Sequence, residues 1–125
     1  MATENKSYIE LQVLQYCRKL VADVYAASQA FPKEEFFGLT NQLRRAAVSV
    51  PSNIAEGCGR QTPRDTINFL FIARGSLYEL ETQLYIALDL KYLGSNNFDT
   101  LQIQLTTCKK LLHGFINHYR QQLPA

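Results

Sequence analysis

The residues best suited to chemistry fall in two polar strips. Arg45, Ser49, Ser52, Asn53, Glu56 and Arg60 follow one another at helical spacing. Ser76, Glu79 and Gln83 make a second strip further along. On neighbouring antiparallel helices these strips would set Arg45, Asn53 and Glu56 against Glu79. One outcome is a partly buried ion-pair and hydrogen-bond network that fixes helix register. The other is an acid–base or ligand site, with Glu56 and Glu79 as a carboxylate pair of shifted pKa. The seam residues are thus Arg45, Ser49, Asn53, Glu56, Ser76 and Glu79. No nucleophile, histidine or metal-ligand set accompanies them, so the structural network is the favoured reading and no catalytic residue is assigned.

Other reactive residue types lack the spacing that chemistry needs. His113 and His118 are five apart, not the three or four that put two imidazoles on one helix face. Cys17, Cys58 and Cys108 form no close pair; Cys17 and Cys108 fall within apolar stripes, as buried small hydrophobes do. Gly57-Cys58-Gly59-Arg60 ends a helix and does not resemble a phosphate-binding loop. Neither a metal nor a cofactor is expected.

Two surface features remain. Phe71, Tyr78, Tyr85 and Tyr92 recur every seven residues beside a core stripe, which suits either ordinary core or a subunit interface, with base stacking as a further use. Basic residues come in short clusters: Arg18-Lys19, Arg44-Arg45, Arg60 with Arg64, and Lys109-Lys110. Singly these are solvated faces, but repetition around an oligomer axis would join them into a ring.

Four long helices must position these groups. Ser7-Tyr8-Ile9-Glu10 reads as a capping box, followed by Val13, Tyr16, Leu20 and Val24 at steps of three and four. Phe31-Pro32 ends that helix. The second opens at Lys33-Glu34-Glu35 and carries Leu39, Leu43, Ala46, Ala47, Val50 and Ile54; its phase is unchanged across Pro51, which predicts a kinked but continuous helix. Thr62-Pro63-Arg64-Asp65 starts the third, with core residues Leu70, Ala73, Leu77, Leu80, Leu84 and Ala87. Leu101, Leu105, Cys108, Leu112, Phe115 and Tyr119 form the seam of the fourth. The expectation is an all-α, antiparallel up-down-up-down bundle forming one domain over residues 1–125, with helices at about 8–30, 33–57, 63–93 and 97–121.

Composition fits this picture. Hydrophobic residues make up 46% and charged residues 19%, as in a folded domain. A net charge of +2 is too mild to declare a nucleic-acid binder by itself. Residues 33–64 are basic by two charges and residues 65–94 acidic by two, so these segments are expected to pair. The odd cysteine count, the absence of a signal-like start and the lack of a long apolar run predict a cytoplasmic protein that does not enter a membrane.

Gln42–Arg60 (QLRRAAVSVPSNIAEGCGR) and Phe69–Leu93 (FLFIARGSLYELETQLYIALDLKYL) closely resemble the four helix bundle protein family, also called 23S rRNA intervening-sequence proteins; Phe31–Ala46 extends the likeness. The family is similar to accessory proteins of bacterial diversity-generating retroelements. The resemblance carries its signature onto Arg45, Ser49, Pro51, Asn53, Glu56, Gly57, Ser76, Glu79 and Glu81. It implies a homopentamer and, through basic surfaces, association with RNA or DNA. The expected function is a non-enzymatic, nucleic-acid-associated accessory or scaffold protein without a small-molecule substrate. Arg44, Arg60, Arg64, Lys109 and Lys110 are the candidate phosphate contacts, and Phe71, Tyr78, Tyr85 and Tyr92 the candidate oligomer interface. The alternative is a protein-binding adaptor with no nucleic-acid role.

Overall fold

The structure, a computed structural model, describes Tyr8 and residues 11–124. Its order is α1 (Gln12–Ser28), a short 3-10 turn (Lys33–Glu35), α2 (Leu39–Cys58), α3 (Pro63–Asp89) and α4 (Ser95–Arg120). No strand occurs among the described residues. The capping box at Ser7–Glu10 lies outside them, apart from Tyr8.

Each helix packs on two others, in the cyclic order α1, α2, α3, α4 and back to α1. Paired residues give the directions. Thr66 at the start of α3 meets Gly57 at the end of α2, while Tyr92 beyond α3 meets Glu35 before α2. Arg44 of α2 reaches the end of α1 at Ser28, and Gln104 of α4 reaches Asp23 of α1. Tyr85 of α3 packs on Phe98 early in α4, and Phe71 lies near Arg120 at its end. All four neighbouring pairs therefore run antiparallel, the up-down-up-down arrangement that short connections impose.

The core is one cluster fed by a stripe from every helix. The residues expected from α3 are all buried there, together with Leu43, Ala46, Ala47, Val50 and Ile54 of α2. Two stripes drift from the expected phase. Tyr16 is exposed, and Leu14 and Cys17 take the inner positions of α1. On α4, Ile116 is fully buried while Phe115 and Tyr119 pack at the edge. On α4 the strict alternation of four and three follows a 3.5-residue period, and a straight helix at 3.6 rotates away from it within a few turns.

Helix ends account for the other differences. Glu35 does not begin α2; its carboxylate accepts the Leu39 amide hydrogen at 3.0 Å and so caps that helix from the preceding turn. Gly38 permits this, because a Cβ there would stand 2.7 Å from the same carboxylate oxygen. The helix then runs unbroken through Pro51, as its phase predicted, although the Ala47 carbonyl loses its usual donor. At the start of α3, Thr62 accepts the Asp65 amide hydrogen, with Pro63 in the first turn. That helix ends at Asp89 rather than near Gly94, because Lys91 adopts the left-handed conformation at φ 66°. The Tyr92 amide then donates to the Ala87 carbonyl at 2.9 Å and the Lys91 amide to Leu88 at 3.0 Å, a Schellman closure built on lysine instead of glycine.

Candidate functional site

The polar seam between α2 and α3 is built from small groups. The Ser49 and Ser76 hydroxyls lie 2.9 Å apart, and the Asn53 amide donates to both the Ser49 carbonyl and its hydroxyl, at 2.8 and 2.9 Å. Lower down, the Thr66 hydroxyl donates to the Gly57 carbonyl at 2.8 Å in a buried contact. A Cβ at Gly57 would approach the Phe69 Cβ and the Thr66 carbonyl, each at 3.2 Å, so glycine lets the helices come this close. Ser49, Asn53 and Ser76 thus meet as the sequence suggested.

The charged part of that seam does not form. Arg45 and Glu79 are both exposed and make no ion pair among the described residues. Glu79 instead accepts from Gln83 at 3.3 Å, and Glu56 pairs with Arg60 one turn along its own helix at 3.5 Å. Side chains a few steps round the helix surface explain this: Ser49 and Asn53 face α3, while Arg45 and Glu56 point to solvent. Glu56 and Glu79 are not a buried carboxylate pair, and nothing at this seam supplies acid–base chemistry. No group of three or more His, Cys, Asp or Glu suited to holding a metal occurs among the described residues.

A second polar seam joins α3 to α4. Lys109 donates to Glu81 at 2.7 Å, Gln102 donates to the other carboxylate oxygen at 3.1 Å, and the Lys109 ammonium sits 4.3 Å from the Tyr78 ring centre. The bond from Lys109, reinforced by Gln102, holds the Glu81 carboxyl below the usual carboxylate range. Lys109 is therefore engaged within the bundle. Of the other sequence-chosen cations, Arg60 lies over Phe69 besides pairing with Glu56, whereas Arg64 and Lys110 are exposed without a carboxylate partner among the described residues.

The heptad aromatics divide. Phe71 is half-buried between Arg74 and Arg120, and Tyr92 donates to Glu35 at 3.0 Å while packing on Phe31. Tyr78 and Tyr85 remain 56% and 47% exposed. Ile72, Ile86 and Leu90 are also exposed further round α3, leaving it an apolar outer surface that none of the described residues covers.

The sequence reading missed a third feature, along α1 and α2. Arg44 is fixed there: its guanidinium donates to the Ser28 hydroxyl at 2.9 Å and lies 4.5 Å above the Tyr25 ring. Beside it stand Arg45 and the exposed pair Phe36 and Phe37. The available signal was the Phe-Phe dipeptide itself, apolar yet outside every helical stripe.

The fold and part of the chain have counterparts. A crystal structure of a protein of unknown function from the S23 ribosomal protein family of Bacteroides thetaiotaomicron superposes with a TM-score of 0.75 at 23% identity, covering 83% of this chain and 97% of that one. At that identity the likeness speaks for the four-helix fold alone. Comparison with curated proteins finds none that matches. The family model described as 23S rRNA-intervening sequence protein matches residues 9–114, a span that includes all four helices up to Gly114. The chain belongs to the 23S rRNA-intervening sequence protein family.

Proposed function

We propose that this protein is a non-enzymatic, oligomeric helical-bundle scaffold that associates with nucleic acid in the cytoplasm, binding backbone phosphates rather than base edges. The observation that carries the reading is the set of uncompensated cations. Arg45, Arg64 and Lys110 are exposed without a carboxylate partner among the described residues, while Glu81 and Glu35 are occupied inside the fold. Phosphate contact needs such free, exposed charge, and sequence-independent binding needs nothing more. The family's description, which names a 23S rRNA intervening sequence, agrees with a nucleic-acid context. Assembly into a ring, a pentamer by the resemblance, would repeat each cation once per subunit; the exposed Tyr78, Tyr85, Ile86 and Leu90 offer the apolar surface that such an interface requires.

Fluorescence anisotropy against RNA and DNA over a salt series tests the reading. Binding should weaken steeply with salt, and replacing Arg60 and Arg64 together with Gln should weaken it about equally for unrelated sequences while flattening the salt slope. Sedimentation at micromolar concentration should give an assembly rather than the 14.3 kDa chain. Absence of salt-sensitive binding would overturn the reading. The same apolar face of α3 favours the second reading, a protein-binding adaptor, in which case Leu90→Glu would abolish partner binding and nucleic acid would be irrelevant.

A further inference from the structure

We infer that the groove between α1 and α2 is a platform for single-stranded nucleic acid, in which Phe36 and Phe37 stack on unpaired bases and Arg18, Arg44 and Arg45 hold the phosphates. The inference rests on the nucleic-acid reading above and gives it a place and a substrate form. Four depressions follow one another along this face, each sharing lining residues with the next: first Phe36, Phe37 and Arg44, then Tyr25 and Arg45, then Tyr25 and Val48, so they adjoin as one groove. Arginines line it from end to end, and among the described residues no Asp or Glu lines any of the four. Glu35, in the turn just before Phe36, is turned away to the Leu39 amide and the Tyr92 hydroxyl.

Aromatic exposure argues the other half. Phe37 is 87% exposed and Phe36 55%, far more than core packing leaves to phenylalanine. The two rings meet edge to face at 4.9 Å, which props Phe37 outward with a free face. An occupant must therefore be a polyanion that also carries flat apolar groups. A single strand has both, and its bases are free to stack; a duplex hides its base faces and offers the groove only phosphates. An acidic peptide matches the charge but supplies fewer flat partners; a second copy of this chain would bring the apolar outer face of α3, in a segment with only two net negative charges, which matches the arginines less well than a row of phosphates.

The test uses the purified chain in whatever assembly it adopts, with a short fluorescein-labelled oligouridylate and an RNA duplex of equal length as probes. The wild type should prefer the strand. Phe37→Ala should weaken strand binding about tenfold or more, the contribution of one stacked base, and leave the weaker duplex binding unchanged. Arg45→Gln should weaken both and lower the salt slope by about one. Because both side chains are exposed, melting temperature and sedimentation should not move. Equal affinity for strand and duplex would overturn the groove. So would retained strand binding in Phe37→Ala accompanied by loss in the Arg60, Arg64 double variant, although nucleic-acid association itself would then stand. A change of oligomer size in Phe37→Ala would assign the groove to a second copy. No binding of either probe would overturn the functional reading and the groove with it.

Discussion

The two polar seams of α3 solve the same packing problem in opposite ways. Toward α2 the helix presents Ser76 and Thr66, and the partner presents Ser49, Asn53 and Gly57; the groups are short, uncharged and close. Toward α4 it presents Glu81, bridged by the long side chains of Lys109 and Gln102, with Tyr78 and Tyr85 filling the space beside them. Short hydroxyls and amides hydrogen-bond across a narrow gap without the desolvation cost of a buried charge. Long charged chains span a wider gap but keep their heads partly in water, where an ion pair is screened. One seam therefore sets distance, and the other sets register more loosely.

Gly57→Ala is the most direct way to break this contrast. The added methyl must push Phe69 or the Thr66 backbone by a few tenths of an ångström, and overpacking of this kind costs about 1–3 kcal/mol. Chemical denaturation should show that loss, whereas Gly75→Ala, where nothing stands within 4 Å, should be neutral or stabilising. Equal effects would mean that the α2–α3 seam is not tight.

Glu81→Gln probes the charged seam, with an expected loss of about 1 kcal/mol near neutral pH. Lys109 and Gln102 depress the folded pKa of Glu81, so its contribution is full above the ordinary carboxylate pKa and disappears as pH falls through the lower folded value. The wild type should lose stability on acidification more steeply than Glu81→Gln, and denaturation midpoints measured across that range decide it. Parallel curves would remove Glu81 from the seam.

A smaller effect is expected at Ser76→Ala, about 0.5–1 kcal/mol with no pH dependence, because Asn53 still donates to the Ser49 hydroxyl. Smallest of all is the pair that the sequence alone placed in a buried network. With Arg45 and Glu79 both exposed, each alanine variant should cost under about 1 kcal/mol, and a double-mutant cycle should show a coupling near zero. A large coupling would bring them back into the seam and contradict the placement of α2 described here.

Periodicity and punctuation in the sequence were sufficient for four helices, their antiparallel order, continuity through Pro51 and most of the core. These follow from local rules: apolar spacing selects a face, and Thr62-Pro63 or Phe31-Pro32 marks an end whatever packs against it. The hydroxyl and amide half of the α2–α3 seam was legible for the same reason. Helical spacing could not say which polar residue on that surface turns inward, since Ser49 and Arg45 are one turn apart and a modest rotation of the helix exchanges their roles. Packing made the choice: Ser49 meets the Ser76 hydroxyl across the seam, and Arg45 is left at the surface. Tertiary structure also decided the ends that the local signals misplaced, with Lys91 closing α3 and Glu35 capping α2 from outside. It alone assembled the α1–α2 groove, because Tyr25, Phe37 and Arg45 belong to three separate segments, and only the fold makes them neighbours.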